Sequence, residues 1–512
     1  MNPEILEERQ RTHRALILGF WGSLCLLIAS WALGKIPQAV NTDFPWIMHI
    51  RQSLNLTFLF VLLAVFGAVL HVIAWAKLAT SMKKWNDSSL TVVKQAALCW
   101  TLPLFFSFPM FSDDVFAYFA QGRLMYNGLD PYTTGISALP NWRAQGVSEM
   151  WTESPTPYGP LFLLIELIVV ILSHNNVAFG VIGFKIAALV GILLCYVYIP
   201  KVAKQNGINP AKATWLTIAN PLFSFAFMIS AHNDALMMGL LVAGIYYVLD
   251  KKFVLGIIIV SASIAIKPIA LLSLPFLGLI WARHYNPYPN SWFQIKTWIV
   301  TALLGFVPVI VLGLIIGVPP GWVQAFTTPG QTFSFYAPVS YLVYASSFIA
   351  GSSGATVVKA VFAFLTVCII LRLIFMDGTP RSILQRCTLA FAVTVALSPV
   401  IYGWYVLWVI ILFAISFEHN DKYTLPLIYL SVLYTMAPFA EPMDVSVLVD
   451  GLGLVRLLAI ACMFGSCYWL IFKDKSMKLL YQFERQNTQQ LKHQLKYETP
   501  RLQNPLVNAQ LK

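Results

Sequence analysis

The sequence predicts an all-α polytopic membrane protein, and three observations lead to that class. Of the 512 residues, 58% are hydrophobic and 11% are charged, whereas a soluble domain carries about 25% charged residues. Apolar runs recur along the chain, and they are of the length that forms a helix of about 20 residues across a bilayer. Lysine and arginine fall mostly in the short segments between those runs, as they do in cytoplasmic loops. Runs of this length indicate spanning helices, because a helix satisfies its own backbone hydrogen bonds inside lipid.

The charge balance and the cysteines indicate which partners and sites the chain is not expected to have. The chain has 34 basic and 22 acidic residues, a net charge of +12. In a soluble protein this excess would raise the question of a nucleic-acid partner, but here the cations lie between apolar runs, so no nucleic acid is predicted. The seven cysteines lie almost entirely within apolar runs and form no CxxC pair, so neither a metal site nor a disulfide framework is predicted.

The first three apolar runs set the predicted topology. Residues 15–34 are too long for the core of a signal peptide, which predicts a retained span, and the arginines before them place the N-terminus inside. Residues 56–76 lead into a lysine-rich loop, which lies inside by the same rule. Residues 96–110 then cross outward and deliver the segment 111–160 to the extracytoplasmic face.

The fourth apolar run decides on which side of the membrane each later loop is predicted to lie. Residues 161–173 are apolar but only about 13 residues long, which is short for a span, and they carry Glu166. If they crossed the membrane, the basic loop 201–212 would lie outside, against the charge rule. We therefore predict a re-entrant or interfacial helix there. Alternation of the later loops predicts about 14 spans with both termini cytoplasmic, in a membrane domain 1–472 followed by a polar cytoplasmic tail 473–512.

The segment 111–160 is the longest polar interruption and the first candidate site. Ser112, Asp113 and Asp114 open a stretch whose apolar residues recur as in an amphipathic helix on a membrane surface, with Tyr118 and Gln121 on the other side. Two interpretations stay open: the serine and the acids cap the helix and complement its dipole, or one carboxylate is a general base. Adjacent side chains on a helix point about 100° apart, so the two acids should not address the same proton.

Polar residues also interrupt the later apolar runs. His232, Asn233 and Asp234 break the stretch 216–248, either as a polar outside turn between two spans or as a functional group. Two ligands in one turn do not make a metal site, so no metal and no other cofactor is predicted, and a divalent ion stays an open alternative. Lys267, a lone cation between two apolar runs, could snorkel to the interface or hold a phosphate.

Two aromatic motifs lie in the same polar segment. NGLDPYTT is a turn signal and SPTPYGP a rigid entry to the next helix, so both could be loop geometry alone. Trp142 and Trp151 could anchor the segment at the membrane interface or stack on sugar rings.

The order of these motifs resembles a known family. DVFAY, GRLMYNGLDPY, TPYGPL, NPLFSFAF, AHNDALMMGL, IKP and LSPVIYGWYVLW follow one another as in the polyprenol-phosphate-mannose-dependent α-1,6-mannosyltransferases, GT-C glycosyltransferases that build bacterial lipomannan-type mannans. The resemblance covers residues 111–408, and the HNDALMMGL block and the DPY–PYGPL pair are its most specific parts. It implies a GT-C-like bundle in the bacterial cell membrane, a polyprenyl-phosphate sugar donor with its tail among the membrane lipids, and a glycolipid or glycan acceptor at the outer face.

The resemblance also implies roles for single residues. Asp114 matches the first-loop acid of the family, which would take the proton of the acceptor hydroxyl while the acceptor oxygen attacks the anomeric carbon opposite the phosphate, with inversion. We place Lys267 and Arg123 near that phosphate, which is our inference and no family assignment. The chain departs from the pattern by carrying a second acid before Asp114. The other substrate-binding candidates of these motifs are Asp113, Tyr118, Tyr132, Tyr158, His232, Asn233, Asp234, Trp404 and Tyr405.

Other functions compete with this one. Transporters place ionisable residues at mid-membrane on broken helices in repeated halves, whereas most outer acids here gather in one loop and at helix ends, and no repeat is visible. An inactive relative that binds lipid without turnover would be expected to lack Asp114. Among transferases, a donor carrying another polyprenyl-linked sugar stays open, because these residues cannot be read for hydroxyl stereochemistry.

Overall fold

The computed structural model describes residues 3–35, 37, 45–82, 85–286, 291–318, 321, 334, 336–419, 421–439, 461 and 465. Within these ranges the chain forms helices, turns and loops and no strand, which confirms the all-α class. The predicted tail 473–512 lies outside the described residues. The same holds for most of residues 319–338 and all of residues 441–444, two loops that the alternation of basic loops predicts at the outer face.

The helices of the N-terminal half frame the long polar segment. They are α1 (Pro3–Leu33), α2 (Pro45–Gln52), α3 (Leu54–Ser81), α4 (Asp87–Thr101), α5 (Asp114–Tyr126), α6 (Pro160–Leu172) and α7 (Val177–Gln205). Short 3-10 turns follow α4 at Pro103–Phe106 and punctuate the segment between α5 and α6 at Ile136–Ala138, Arg143–Gln145 and Glu149–Trp151.

The remaining helices begin with two short ones before longer helices resume. They are α8 (Pro210–Leu216), α9 (Pro221–Ser224), α10 (Asp234–Leu249), α11 (Phe253–Ile266), α12 (Leu274–Tyr285), α13 (Ser291–Ile315), α14 (Pro338–Phe375), α15 (Pro380–Ala396), α16 (Gly403–Ser416) and α17 (Asp421–Met436). Helix α14 is kinked at Ala350 and Gly351, whose backbone angles are not helical.

Among the described residues, six helices are long and apolar enough to cross a membrane, which confirms a polytopic membrane protein. A seventh span is added if the bent pair Pro221–Ile229 and Asp234–Leu249 counts as one, and four shorter apolar helices accompany them. The run predicted to be short is helix α6, Pro160–Leu172, with 13 residues. The total of about 14 spans stays a prediction.

Helix α5 is where the structure departs from the expected surface helix. Every residue from Val115 to Leu124 is buried, including Tyr118 and Gln121 on the supposed polar side. One face of the helix packs so closely on α6 that a Cβ added at Gly122 would lie 2.5 Å from the carbonyl oxygen of Glu166. The prediction of an amphipathic surface helix was wrong, because protein covers α5 on all sides. Its polar side chains therefore contact other parts of the protein and not solvent.

Close helix crossings position the residues around the polar break at 232–234. Helices α7 and α10 meet backbone to backbone: a Cβ added at Gly239 would lie 2.5 Å from the carbonyl oxygen of Gly191. A similar approach joins α10 to α11, where a Cβ at Gly244 would lie 2.7 Å from the Gly256 carbonyl oxygen. Small residues permit such contacts between membrane helices. The start of α10 is therefore held against α7, and the end of α11, at Lys267, is held on the same side of the bundle.

Candidate active site

A cavity of about 520 Å³ opens where α5 begins, and it is lined by side chains from widely separated parts of the chain. Six of the catalytic and substrate-binding candidates line it: Asp113, Asp114, Tyr158, Lys267, Trp404 and Tyr405. Further polar and aromatic lining comes from residues that the sequence analysis did not select, among them Lys35, Tyr402, Tyr336 and Tyr434. The cavity therefore brings together ionisable and aromatic groups from separate parts of the chain.

Asp114 projects into this cavity from the first turn of α5. Its backbone N–H donates to the Ser112 hydroxyl oxygen at 3.2 Å, and its side chain is 13% exposed. The helix N-cap position is Asp113, which makes no capping hydrogen bond through its side chain. The expectation that Ser112 is the cap was therefore wrong by one residue, although its hydroxyl does accept from the helix backbone. Asp114 is thus left with its carboxylate directed at the cavity rather than at the helix end.

Behind Asp114 lies the imidazole of His232. The distance from His232 Nδ1 to Asp114 Oδ2 is 3.3 Å, and the histidine side chain is fully buried. Neither ring nitrogen has a hydrogen bond to a described residue. The contact with Asp114 is therefore electrostatic, and a small shift of either side chain would make it a hydrogen bond. On its face the ring packs against Trp404, with centroids 3.7 Å apart. His232 therefore supports Asp114 from the protein side and does not itself line the cavity.

The electrostatics of this pair favour an ionised Asp114. Burial by itself raises the pKa of the Asp114 carboxyl, but interaction with His232 and attraction to Lys267 outweigh that effect, so its pKa lies below the ordinary value. A carboxylate that stays ionised beside a cavity can accept a proton from a hydroxyl brought within hydrogen-bond reach.

The break that carries His232 is built from unusual backbone. The residues Phe225–Ile229 form a π-helical turn, Ala231 has a positive φ of 54°, and the flanking helices are bent by 117°. The arm before the break, Pro221–Ile229, is far shorter than a span. The expectation of a turn between two full spans is therefore not matched, because the helix before the break is itself interrupted. π-Turns and left-handed non-glycine residues are enriched at functional sites.

Asp234 is the anchor of a buried charge pair. Lys267 Nζ donates to both of its carboxylate oxygens, at 3.0 Å to Oδ1 and 2.9 Å to Oδ2. The indole Nε1–H of Trp408 donates to Oδ1 at 2.8 Å. The Asp234 side chain is fully buried, whereas that of Lys267 is 13% exposed, towards the cavity. Asp234 thus holds Lys267 in place as a cation at the cavity wall.

The loop motif TPYGP brings Tyr158 to the same wall. Gly159 N–H donates to the Ile266 carbonyl oxygen at 3.0 Å, and a Cβ at Gly159 would lie 2.5 Å from the Ala265 carbonyl oxygen. Only a glycine permits this approach, which sets Tyr158 beside Lys267, whose Nζ lies 5.9 Å from the tyrosine ring centroid. The Tyr132 hydroxyl donates to the Tyr158 carbonyl oxygen at 2.8 Å. Tyr132 therefore holds the loop and does not reach the cavity.

Four other candidates also lie outside the cavity lining. Arg123 is mostly buried and donates to Gln145 Oε1 at 2.5 Å, so the structure does not bring it to Lys267. Tyr118 is fully buried, its ring packing edge-on against Tyr158 at 5.2 Å. Burial and the nearby carboxylates hold the pKa of Tyr118 well above its ordinary value. Asn233 and Asp234 are buried beneath the wall.

Aromatic rings form a further part of the cavity wall. Tyr402 and Trp404 stack with centroids 4.5 Å apart and an interplanar angle of 14°. Tyr405 packs against Trp408 at 4.3 Å, and Lys267 Nζ lies 5.4 Å from the centroids of both rings. Trp151 lines the cavity from the polar segment. Such rings present flat apolar faces to whatever occupies the cavity, and they hold the Lys267 cation by cation–π attraction.

Two functional residues were missed from the sequence. Trp408, the last tryptophan of LSPVIYGWYVLW, carries no signal of its own, because tryptophan in an apolar run is ordinary for a core. Lys35 pairs with Asp113, with 2.5 Å between Lys35 Nζ and Asp113 Oδ1. Lys35 did carry a signal: in the predicted topology it follows the first span on the outer side, where a lysine runs against the positive-inside rule.

A metal site was left open by the sequence analysis. Within the ranges that the structure describes, no three His, Cys, Asp or Glu side chains come together in an arrangement that could hold a metal ion. His232 and Asp234, the pair considered from the sequence, instead address Asp114 and Lys267.

Comparison with known proteins identifies a family and several relatives. A family model described as "Alpha-(1->6)-mannopyranosyltransferase, N-terminal domain" matches residues 16–283. The alpha-(1->6)-mannopyranosyltransferase A of Mycobacterium tuberculosis is 32% identical over 316 residues, which are 60% of this chain and 60% of that protein. The protein of the same name from Corynebacterium glutamicum is 33% identical over 259 residues, 49% of this chain and 52% of that one.

A third relative is matched over a longer stretch. The probable alpha-(1->6)-mannopyranosyltransferase of Mycolicibacterium smegmatis is 25% identical over 453 residues, 80% of this chain and 79% of that protein. The matches to the first two relatives span only about half to three fifths of their length, 52% and 60%. No solved structure matches the chain.

Proposed function

Because the chain belongs to the alpha-(1->6)-mannopyranosyltransferase family, whose model covers the stretch with Asp114, His232 and Lys267, we propose that it is a membrane-embedded mannosyltransferase. The donor is polyprenyl-phosphate mannose, and the acceptor is a mannan or glycolipid hydroxyl. The site works at the extracytoplasmic face of the bacterial cell membrane, which the charge rule supports through the loops around residues 77–94 and 201–212.

The observation that carries the proposal is the cavity with Asp114 on one wall and Lys267 on another. Asp114, ionised and supported by His232, accepts the proton of the acceptor hydroxyl. The acceptor oxygen forms a bond to the anomeric carbon, and the bond between that carbon and the phosphate oxygen breaks. The bonding pair leaves with polyprenyl phosphate, whose added negative charge is stabilised by the Lys267 ammonium. Attack opposite the leaving group inverts the configuration, so a β-linked donor yields an α-linked product.

The other residues divide into two groups by position. Trp404, Tyr405 and Tyr158 line the cavity and offer faces and a hydroxyl to the sugar. His232 and Asp234 are buried behind the wall and act through Asp114 and Lys267, which makes them positioning residues.

The test is mannose transfer in membranes or proteoliposomes from purified polyprenyl-phosphate mannose to a short mannoside. Asp114→Asn keeps the shape of the side chain and removes the base, so we expect transfer to fall about 10²- to 10⁴-fold. Asp113→Asn should retain most of the activity, since its carboxylate faces Lys35. Asp250→Asn, at an exposed acid beyond the end of α10, is the matched control.

Three results would change the proposal. Full transfer in Asp114→Asn would remove the base assignment, and Asp234 would be the next acid to test. Transfer from a different polyprenyl-linked sugar, but none from the mannose donor, would keep the mechanism and replace the sugar. Transfer from a water-soluble nucleotide sugar would refute the lipid-linked donor.

A further inference from the structure

The first helix ends at the cavity in a tightly fixed backbone. Gly34 N–H donates to the Ser30 carbonyl oxygen at 2.7 Å, and Lys35 N–H donates to the Pro109 carbonyl oxygen at 2.7 Å. The Ser30 hydroxyl oxygen in turn accepts from the Phe108 N–H at 3.0 Å. The end of α1 is thus hydrogen-bonded to the segment that leads directly into Asp113 and Asp114. These bonds fix the position of the Lys35 backbone relative to the two acids.

A buried arginine adds a second clamp. Arg51, at the end of α2 and 6% exposed, donates through Nε to the Ala32 carbonyl oxygen at 3.0 Å and through Nη2 to the Gly34 carbonyl oxygen. These are carbonyls that the end of a helix leaves without intrahelical partners. The backbone that carries Lys35 is therefore held from two sides.

Lys35 itself lies in the cavity lining, with its side chain 14% exposed. Its ammonium meets Asp113 Oδ1, whose side chain is 24% exposed and lines the same cavity. Lys35 is therefore a second positive charge in the lining of this cavity, besides Lys267. Hydrogen bonds between an ammonium and a phosphate oxygen are among the stronger ones, because both groups are charged.

We propose that Lys35 is a phosphate-binding residue of this cavity, holding the lipid-linked phosphate together with Lys267, and that Asp113 competes with that phosphate for its ammonium. The inference rests on the proposed function, since it names the second cation for the phosphate of that donor. It also separates the two neighbouring acids: Asp113 pairs with Lys35, and Asp114 serves the acceptor.

The test measures binding of farnesyl phosphate, a short isoprenyl phosphate without sugar, to the purified full-length protein, with farnesol as the uncharged control ligand. Lys35→Gln should weaken farnesyl phosphate binding about 10- to 100-fold, the loss of a hydrogen bond between charged groups. Lys35→Arg should recover most of the affinity. Lys77→Gln, at an exposed lysine of α3, should change nothing. Farnesol binding should be the same in all four proteins.

Asp113→Asn separates a phosphate-binding lysine from a merely structural one. Removing the competing carboxylate should tighten farnesyl phosphate binding about two- to fivefold, and this gain should vanish in a Lys35→Gln background. A purely structural ion pair predicts that both single variants weaken binding or leave it unchanged.

Failure of the inference and failure of the proposed function give different results. Native-like phosphate affinity in Lys35→Gln would overturn the inference, and mannose transfer by the native protein would then still stand. Lys35-dependent phosphate binding without any mannose transfer would support the phosphate site and remove the sugar assignment. No binding of farnesyl phosphate by the native protein would overturn both the site and the lipid-phosphate donor.

Discussion

The buried pair of Asp234 and Lys267 allows a stability prediction whose size follows from the geometry. The Asp234 carboxylate is fully buried and receives two hydrogen bonds from Lys267 and one from Trp408. Lys267→Met would remove two of these three hydrogen bonds and leave the buried carboxylate with the one from the Trp408 indole. Breaking a buried pair from one side costs about 3–5 kcal/mol. We therefore expect this single substitution to lower the free energy of unfolding by that amount.

Replacing the other member of the pair should lower the free energy of unfolding by less. In Asp234→Asn the amide oxygen can still accept from Trp408, and the Lys267 ammonium, 13% exposed, can turn towards the cavity. We expect a loss of about 1–3 kcal/mol. The double variant removes both charges, so it should be no worse than Asp234→Asn alone, and the two single effects should not add.

The assay is denaturant unfolding in mixed micelles, compared among the native protein, the two single variants and the double variant. Lys77→Met on the exposed end of α3 is the control, with an expected change within about 0.5 kcal/mol. Additive losses in the double variant, or a loss below about 1 kcal/mol for Lys267→Met, would refute the reasoning that Asp234 is a charge held in place by Lys267.

Three further outcomes follow from contacts around the cavity. His232→Gln removes the attraction that lowers the pKa of Asp114, while the burial that raises this pKa remains. The acid limb of the pH–rate profile for transfer should therefore move to higher pH. An unmoved limb would contradict the pairing of His232 with Asp114. Trp408→Phe deletes one donor to Asp234 and should lower the free energy of unfolding by about 1.5–3 kcal/mol. Gly239→Leu places a side chain where the backbone of α7 already lies. It should lower the free energy of unfolding by about 1–3 kcal/mol or more, and transfer should fall in proportion to the folded protein. Unchanged stability would show that α7 and α10 are not in backbone contact.

The candidate residues fall into those that face the cavity and those that support it, and this division was not readable from the motifs. Tyr132 and Tyr158 occupy similar positions in DPY and PYGP, yet one holds the loop through a backbone carbonyl and the other lines the cavity. His232 and Asp234 lie two residues apart, yet one addresses Asp114 and the other Lys267. Each difference depends on the direction of a side chain in a packed environment, which spacing along the chain does not encode.

Helix α5 shows the same limit for patterning. Its apolar spacing is that of an amphipathic helix, but α6 and α7 and the polar segment cover its other face, and Gln121 there accepts from the Thr156 hydroxyl at 3.0 Å. A polar residue inside a fold is tolerated wherever a partner meets it. The periodicity therefore recorded which residues are polar, and not which face meets solvent.

The sequence by itself determined the class of the protein and the stretches that contain its chemistry. Both are local properties. A long apolar run is costly to expose to water, and an ionisable residue within such a run is costly inside the membrane, so each feature is informative without knowledge of its partner. The tertiary structure alone decided the pairings, Lys267 with Asp234 and Lys35 with Asp113. Those pairs join residues 33 and 78 positions apart, and they form because glycine-mediated helix crossings and a doubly held helix end bring the backbones together. Both Asp113 and Asp114 line the cavity, but Asp113 is paired with Lys35, which is why we propose Asp114 as the acid that takes the proton.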